Sequence, residues 1–167
     1  MPIFTPRLYI DKMIDIDVPL LQSIGAKALL LDIDNTMTTH DNPVPATGVC
    51  EWINAMKQHG FAMMIVSNNS EERVRPFAEL VGLEFISKGK KPLPSGFRRA
   101  CESMRIKPKQ AVVVGDQIYT DILGGNLLGA YTILTVPYQL EGTRFFKLKR
   151  ALERPVIKAY KKRCKAR

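Results

Sequence analysis

In "ALLLDIDNTMT" an apolar run leads into two carboxylates one residue apart, Asp32 and Asp34, with the hydroxyl of Thr36 two residues further on. A buried carboxylate is costly unless it is paired or bound to a cation. Three other stretches offer partners. "MIVSNNS" ends on Ser67, Asn68 and Asn69, "SKGKKP" offers Lys88, Lys90 and Lys91, and "VVVGDQIYTD" carries Asp116 and Asp121. Carboxylates drawn together repel until a cation joins them. Asp32 with Asp116 in an oxygen-rich surround suits Mg2+, which favours one or two carboxylates, water and phosphate oxygens. Adding a hydroxyl and a lysine makes a site for spread negative charge, such as a phosphoryl group in transfer. Of two carboxylates so close in sequence, one can attack while the other handles the proton. Taken alone, the Asp/Asn-rich run would serve equally well as a turn that satisfies its own backbone.

The elements around these residues decide whether they can meet. Short apolar runs at 27–33, 61–66, 84–86, 111–114 and 131–136 read as buried parallel strands. Segments 47–59, 71–81, 94–104 and 118–128 between them have helical character. Gly60, Gly82 and Gly129 follow helical segments where a left-handed cap favours glycine, and Ser70 is placed to start the second one. Pro76 predicts that this helix is shortened or kinked. Strands alternating with helices give a parallel sheet covered on both faces. In such sheets ligands bind beyond the carboxyl ends of the strands. That rule gathers Asp32, Asp34, Ser67 and Asp116 at one edge, beside the lysine loop. Residues 1–25 read as a covering segment with one short helix near 19–23. Gly124 and Gly125 read as close packing against the sheet, and Trp52 with Val49 and Met56 as a core stripe.

The chain has 167 residues, 46% of them apolar, which fits one domain able to bury its own core. No apolar run reaches bilayer-spanning length, and the first residues lack the basic and apolar regions of a secretory leader. Cys50, Cys101 and Cys164 are scattered outside any CxxC pattern, which points to a reducing compartment. The charge is unevenly divided. Residues 143–167 hold eleven Lys/Arg against one acid, Glu153, whereas residues 1–142 carry a net charge of −1. The basic character therefore belongs to a tail. There Phe145, Leu148, Leu152, Val156 and Tyr160 recur at helical spacing, with Pro155 placed to kink the helix or start a second one. Such a segment suits an anionic membrane surface, a nucleic-acid backbone, or packing on the domain.

"LLLDIDNTMT", "MIVSNN", "KKP" and "VVVGDQIYTD" stand in the order and spacing of the four motifs of the haloacid dehalogenase (HAD) phosphatase superfamily. From about Pro6 onward the chain resembles in particular its small capless subfamily IIIA, YqeG type. The resemblance implies an α/β fold, a HAD-like Rossmannoid three-layer α/β/α sandwich with a central parallel sheet and no cap. It divides the chain into a covering segment (1–25), a phosphatase core (26–142) and a basic helical tail (143–167). It implies that Asp32 is the nucleophile, taking the phosphoryl group as an aspartyl phosphate, and that Asp34 is the general acid and then the base. Mg2+ would be held by the carboxylates of Asp32 and Asp116 and the backbone carbonyl of Asp34. Ser67, the amide of Asn68 and Lys91 would hold the phosphate, with Lys90 a rival for the lysine role. Thr36 and Asp121 would support the site. Met37 departs mildly from the usual Leu or Val.

Only 34 residues separate Asp32 from Ser67, too few for a folded cap, so the site should be open and suit a large substrate. The YqeG-like family includes a mitochondrial phosphatidylglycerophosphate phosphatase. With the basic tail, this implies an anionic lipid head group as substrate and a cytoplasmic protein peripheral on the inner face of the membrane. The alternatives are a soluble phosphatase for nucleotides, sugar phosphates or nucleic-acid ends, and a HAD-fold protein that binds RNA or a protein partner. The oligomeric state is left open.

Overall fold

The run Ala28–Leu31 (β2) is apolar on both sides of its pleat because both sides are covered. Leu29 and Leu31 enter one core and Leu30 the other, and all three are fully buried. The same alternation splits Met63 and Ile65 from Met64 and Val66 on Ala62–Val66 (β3), and Val112 and Val114 from Val113 on Ala111–Gly115 (β5). Strands Leu8–Ile10 (β1), Glu84–Ile86 (β4) and Tyr131–Thr135 (β6) complete a six-stranded sheet in a computed structural model that describes residues 2–40, 42–139 and 144–165. Its order is β1-β6-β5-β2-β3-β4, and every neighbouring pair is parallel.

Helices cover both faces. Val18–Ser23 (α1), Val49–Gln58 (α2) and Glu71–Val81 (α3) bury Leu21, Trp52, Ile53, Phe77 and neighbours against one. Trp52 closes its polar edge by donating its indole N–H to Ile16 O at 2.8 Å. Ser95–Ser103 (α4) and Leu123–Leu128 (α5) cover the other, where Phe97, Ala100 and Cys101 pack on Leu30 and Val113. Close approach there depends on the glycine pair. A methyl group on Gly124 would stand 2.7 Å from the Phe97 ring, and one on Gly125 2.6 Å from Thr132. The last helix, Arg144–Lys165 (α6), lies on this second face beside the β1–β6 edge, with Val156 and Ile157 against Ile118, Ile122 and Leu134.

Several expectations are corrected. The first 25 residues hold the short helix α1 and also the edge strand β1, which pairs with β6 from Leu8↔Ile133 to Ile10↔Thr135. Strand β2 ends at Leu31, so Asp32 and Asp34 both lie beyond it. Pro76 does not shorten α3, which runs unbroken through it. It sits on the exposed face, where water can satisfy the carbonyl its missing N–H abandons. A helical proline costs about 3 kcal/mol, and burying Phe77, Val74 and Val81 at about 1.5–3 kcal/mol each outweighs it. Pro155 is exposed in the same way, and α6 runs through it without starting a second helix. Ser70 occupies the N-cap position of α3 with an extended backbone, but its side chain does not cap an amide; it bonds Glu72.

The tail stripe is corrected in part: Val156 and Tyr160 face the domain, but the two leucines do not. Leu148 and Leu152 are 63% and 55% exposed, because the inward positions of α6 are taken by Arg150, Glu153, Ile157 and Tyr160. The side chain of Phe145 and the boundary residue Thr143 lie outside the described residues. Among those described, no helix is long and apolar enough to cross a membrane.

Candidate active site

Strands β2 and β5 are neighbours at the centre of the sheet, in register from Ala28↔Ala111 to Leu31↔Val114. Asp32 and Asp116, one residue past Leu31 and Gly115, are therefore delivered side by side although far apart in sequence. The Asp32 amide still bonds Val114 O at 3.0 Å, which fixes where the first carboxylate leaves the sheet. Asp32, Asp116 and Asp121 each offer one oxygen within 4.8 Å of the others. Asp121 comes from a turn of π-helix, Ile118–Ile122, placed between β5 and α5 where one regular helix was expected. It is fully buried, and its approach needs Gly115, since any Cβ there would collide with the Asp121 carboxyl.

Lys91 joins the cluster. Its side chain is only 3% exposed, and its ammonium donates to Asp32 Oδ1 at 2.7 Å and to Asp121 Oδ1 at 2.6 Å. Lys90, one residue earlier, is exposed, so the geometry separates the two lysines. Asn68 fixes the loop: its Oδ1 accepts the Lys91 N–H at 2.7 Å and its Nδ2 donates to Lys91 O at 3.0 Å. This side-chain role is additional to the backbone-amide role expected of Asn68. Ser67 is buried at the end of β3, on the same edge of the sheet, and its Oγ accepts the Asn69 N–H at 3.1 Å.

Electrostatics follow from burial. Desolvation pushes Asp32 up to about 6, against the pull of Lys91 and with the help of Asp121. Burial alone would lower Lys91, but Asp121 and Asp32 outweigh it and hold the ammonium well above its ordinary value. Desolvation likewise raises Asp116 well above the usual carboxylate range, opposed by Arg150. Three carboxylates thus share the Lys91 ammonium and the Arg150 guanidinium. Asp116 Oδ1 is buried with no hydrogen-bond partner, and so is Thr36 Oγ1. An orphaned carboxylate oxygen beside two more carboxylates fits a hard divalent cation such as Mg2+.

Asp34 faces elsewhere. Its carboxylate accepts from Asn69 Nδ2 at 2.6 Å and from Arg73 Nη2 at 2.9 Å. Neither Arg73 nor the α6 residues Arg150 and Glu153 were among the predicted site residues. Arg150 bonds Asp116, and Glu153 accepts the Ile118 N–H at 2.8 Å. Sequence held a trace of two of them. Arg73 is a cation in the first turn of α3, where the helix dipole disfavours one, and Glu153 is the single acid among eleven bases.

The family model for haloacid dehalogenase-like hydrolases matches residues 7–129. The "Probable phosphatase YqeG" of Bacillus subtilis (strain 168) is 38% identical over 160 residues, covering 96% of this chain and 93% of that one. The "Phosphatidylglycerophosphatase GEP4, mitochondrial" of Saccharomyces cerevisiae is 29% identical over 77% of this chain and 75% of its own. Among solved structures, an uncharacterized protein from Listeria monocytogenes serotype 4b superposes with a TM-score of 0.57 at 21% identity, over 70% of this chain and 84% of that one. At that identity the likeness concerns the fold.

Proposed function

The chain belongs to the haloacid dehalogenase-like hydrolase family and is a phosphatase, and from that premise we propose that it dephosphorylates phosphatidylglycerophosphate with Mg2+ through an aspartyl phosphate on Asp32. The observation that carries the chemistry is the Lys91 ammonium bridging Asp32 and Asp121 beside the orphaned oxygen of Asp116.

In this reading Asp32 Oδ attacks phosphorus and the bond to the leaving alcohol breaks, while Asp34 gives that oxygen a proton. Asp34 then takes a proton from water, which attacks the same phosphorus, frees Asp32 and releases inorganic phosphate. Arg73 and Asn69 hold the Asp34 carboxylate for both transfers. The Lys91 ammonium has three donors, and two go to carboxylates; the third is left for a phosphoryl oxygen. Ser67 and the Asn68 amide serve the other oxygens. Asp32, Asp116 and the Asp34 carbonyl would hold Mg2+, which when bound would neutralise phosphoryl charge.

The lipid reading rests on the likeness to GEP4 and on α6. That helix exposes Leu148 and Leu152 beside Lys147, Arg154, Lys158, Lys161, Lys162 and Arg163. At about 1 kcal/mol per basic residue near an anionic surface, a few such contacts give reversible attachment. The test is phosphate release with Mg2+ from phosphatidylglycerophosphate in mixed micelles and from soluble phosphomonoesters, with Asp32→Asn as control. Preference for the lipid and silence of Asp32→Asn are expected. Turnover of soluble esters alone overturns the lipid substrate, and an active Asp32→Asn overturns the nucleophile.

A further inference from the structure

We propose that Arg150, carried by α6, is a positioning residue for the metal site, turning the Asp116 carboxylate so that one oxygen is left for the cation and making α6 docking and metal binding mutually dependent. The inference rests on the reading of Asp32 and Asp116 as metal ligands.

The Arg150 guanidinium grips one residue twice. Its Nη1 donates to the backbone carbonyl of Asp116 at 2.8 Å, and its Nη2 donates to Asp116 Oδ2. Held at both ends, the Asp116 side chain keeps one orientation, and Oδ1 remains buried without a hydrogen-bond partner. Arg150 is itself aligned by Glu153, whose Oε2 accepts from Nη1 at 3.0 Å while Oε1 accepts the Ile118 N–H at 2.8 Å. Glu153 is 2% exposed, so this ion pair is part of the packed interface. Further along, the Tyr160 hydroxyl accepts the Tyr9 N–H at 3.2 Å, and Tyr119 donates to Leu152 O at 3.0 Å. The grip on Asp116 therefore exists only while α6 is seated. A partner that fixes the orientation of a ligating carboxylate commonly matters roughly 10–100-fold in metal affinity. A lysine keeps the charge but has no planar fork with which to hold carbonyl and carboxylate together.

Charge alone predicts the opposite sign. Removing a cation beside a cation site should tighten metal binding, so weakening reports lost orientation. The experiment titrates Mn2+ by electron paramagnetic resonance into the full-length protein and into Arg150→Met and Arg150→Lys. Arg150→Met should bind roughly 10–100-fold more weakly, with part of the loss recovered in Arg150→Lys. Linkage requires the reciprocal effect. Saturating Mg2+ should slow amide hydrogen exchange across residues 150–160 of the wild-type protein by a comparable factor. Equal or tighter Mn2+ binding by Arg150→Met overturns the inference, as does exchange in α6 that ignores the metal. Should Arg150→Met fail to fold, exchange in the wild-type protein decides. If the wild-type protein binds no Mn2+, the metal-site reading itself falls; if it binds and Arg150→Met binds equally, only the role of Arg150 does.

Discussion

Replacing Lys91 with methionine removes an ammonium from the cluster and little volume. Its side chain is almost wholly buried between Asp32 Oδ1 at 2.7 Å and Asp121 Oδ1 at 2.6 Å, with Asp116 close by. Without it, Asp32 and Asp121 face one another with their shared counter-charge gone. Breaking a buried ion pair from one side costs about 3–5 kcal/mol. In a protein of this size each kcal/mol moves Tm by about 2–4 °C, so Lys91→Met in EDTA should melt on the order of 10 °C below wild type. Mg2+ should recover part of that loss, because a cation among the same oxygens replaces the missing charge. Turnover should not recover: losing a donor aimed at the transferring group costs about 10²–10³ in kcat. The assay is thermal unfolding in EDTA and in Mg2+, alongside phosphate release. Lys90→Met is the control, since an exposed lysine should change stability by no more than about 0.5 kcal/mol. Equal melting of Lys91→Met and Lys90→Met in EDTA, or loss of turnover in Lys90→Met instead, would refute the reasoning.

Three further outcomes are expected. Burial raises Asp32 from 3.8 to about 6 in the folded protein, so its contribution to metal-free stability is complete below about pH 4 and disappears as pH rises through 6. Denaturant unfolding in EDTA should show wild type losing about 3 kcal/mol relative to Asp32→Asn across that window, and a pH-independent difference would contradict it. Arg73→Met frees the Asp34 carboxylate from one of its anchors; kcat should fall by about tenfold or more with Mn2+ affinity unchanged, and a parallel loss of metal would place Arg73 in the metal site instead. Gly115→Ala forces Asp121 away from Lys91, which should cost about 1–3 kcal/mol in unfolding measurements and much of the activity, whereas Gly129→Ala, strained by its left-handed backbone but meeting open space, should lose stability and keep the activity.

The central strands were legible because burial on both faces leaves only apolar residues at 28–31, 62–66 and 111–114. Strand β1 was not: its three residues lie between Arg7 and Asp11, too short for any period, and only pairing with β6 makes them a strand. Asp32 and Asp116 could be found because each follows its strand directly. Their partners could not, since Arg73 and Arg150 come from helices whose docking no local pattern encodes. In α6 the apolar period found Val156 and Tyr160, which are seated, but not the start of the seated face, where the Arg150–Glu153 ion pair leaves Leu148 and Leu152 exposed. The two helical prolines misled for a related reason. Local rules give the cost of a missing N–H, but exposure decides whether water can meet it.

The pairing of β1 with β6 also sets an order of assembly. Leu8 meets Ile133, and Tyr9 meets Tyr160 across 151 residues of sequence. Strands β2, β3 and β4 can associate while the chain is still being synthesised, but β5 enters between β2 and β6, and α6 closes last on the first strand. Contacts this distant in sequence delay folding. A nascent chain of a hundred residues would already carry Asp32 but neither Asp116 nor the helix that grips it. On the reading proposed for Asp32 and Arg150, competence for hydrolysis arrives only with α6, so a product interrupted before it would hold Asp32 in a site it cannot finish.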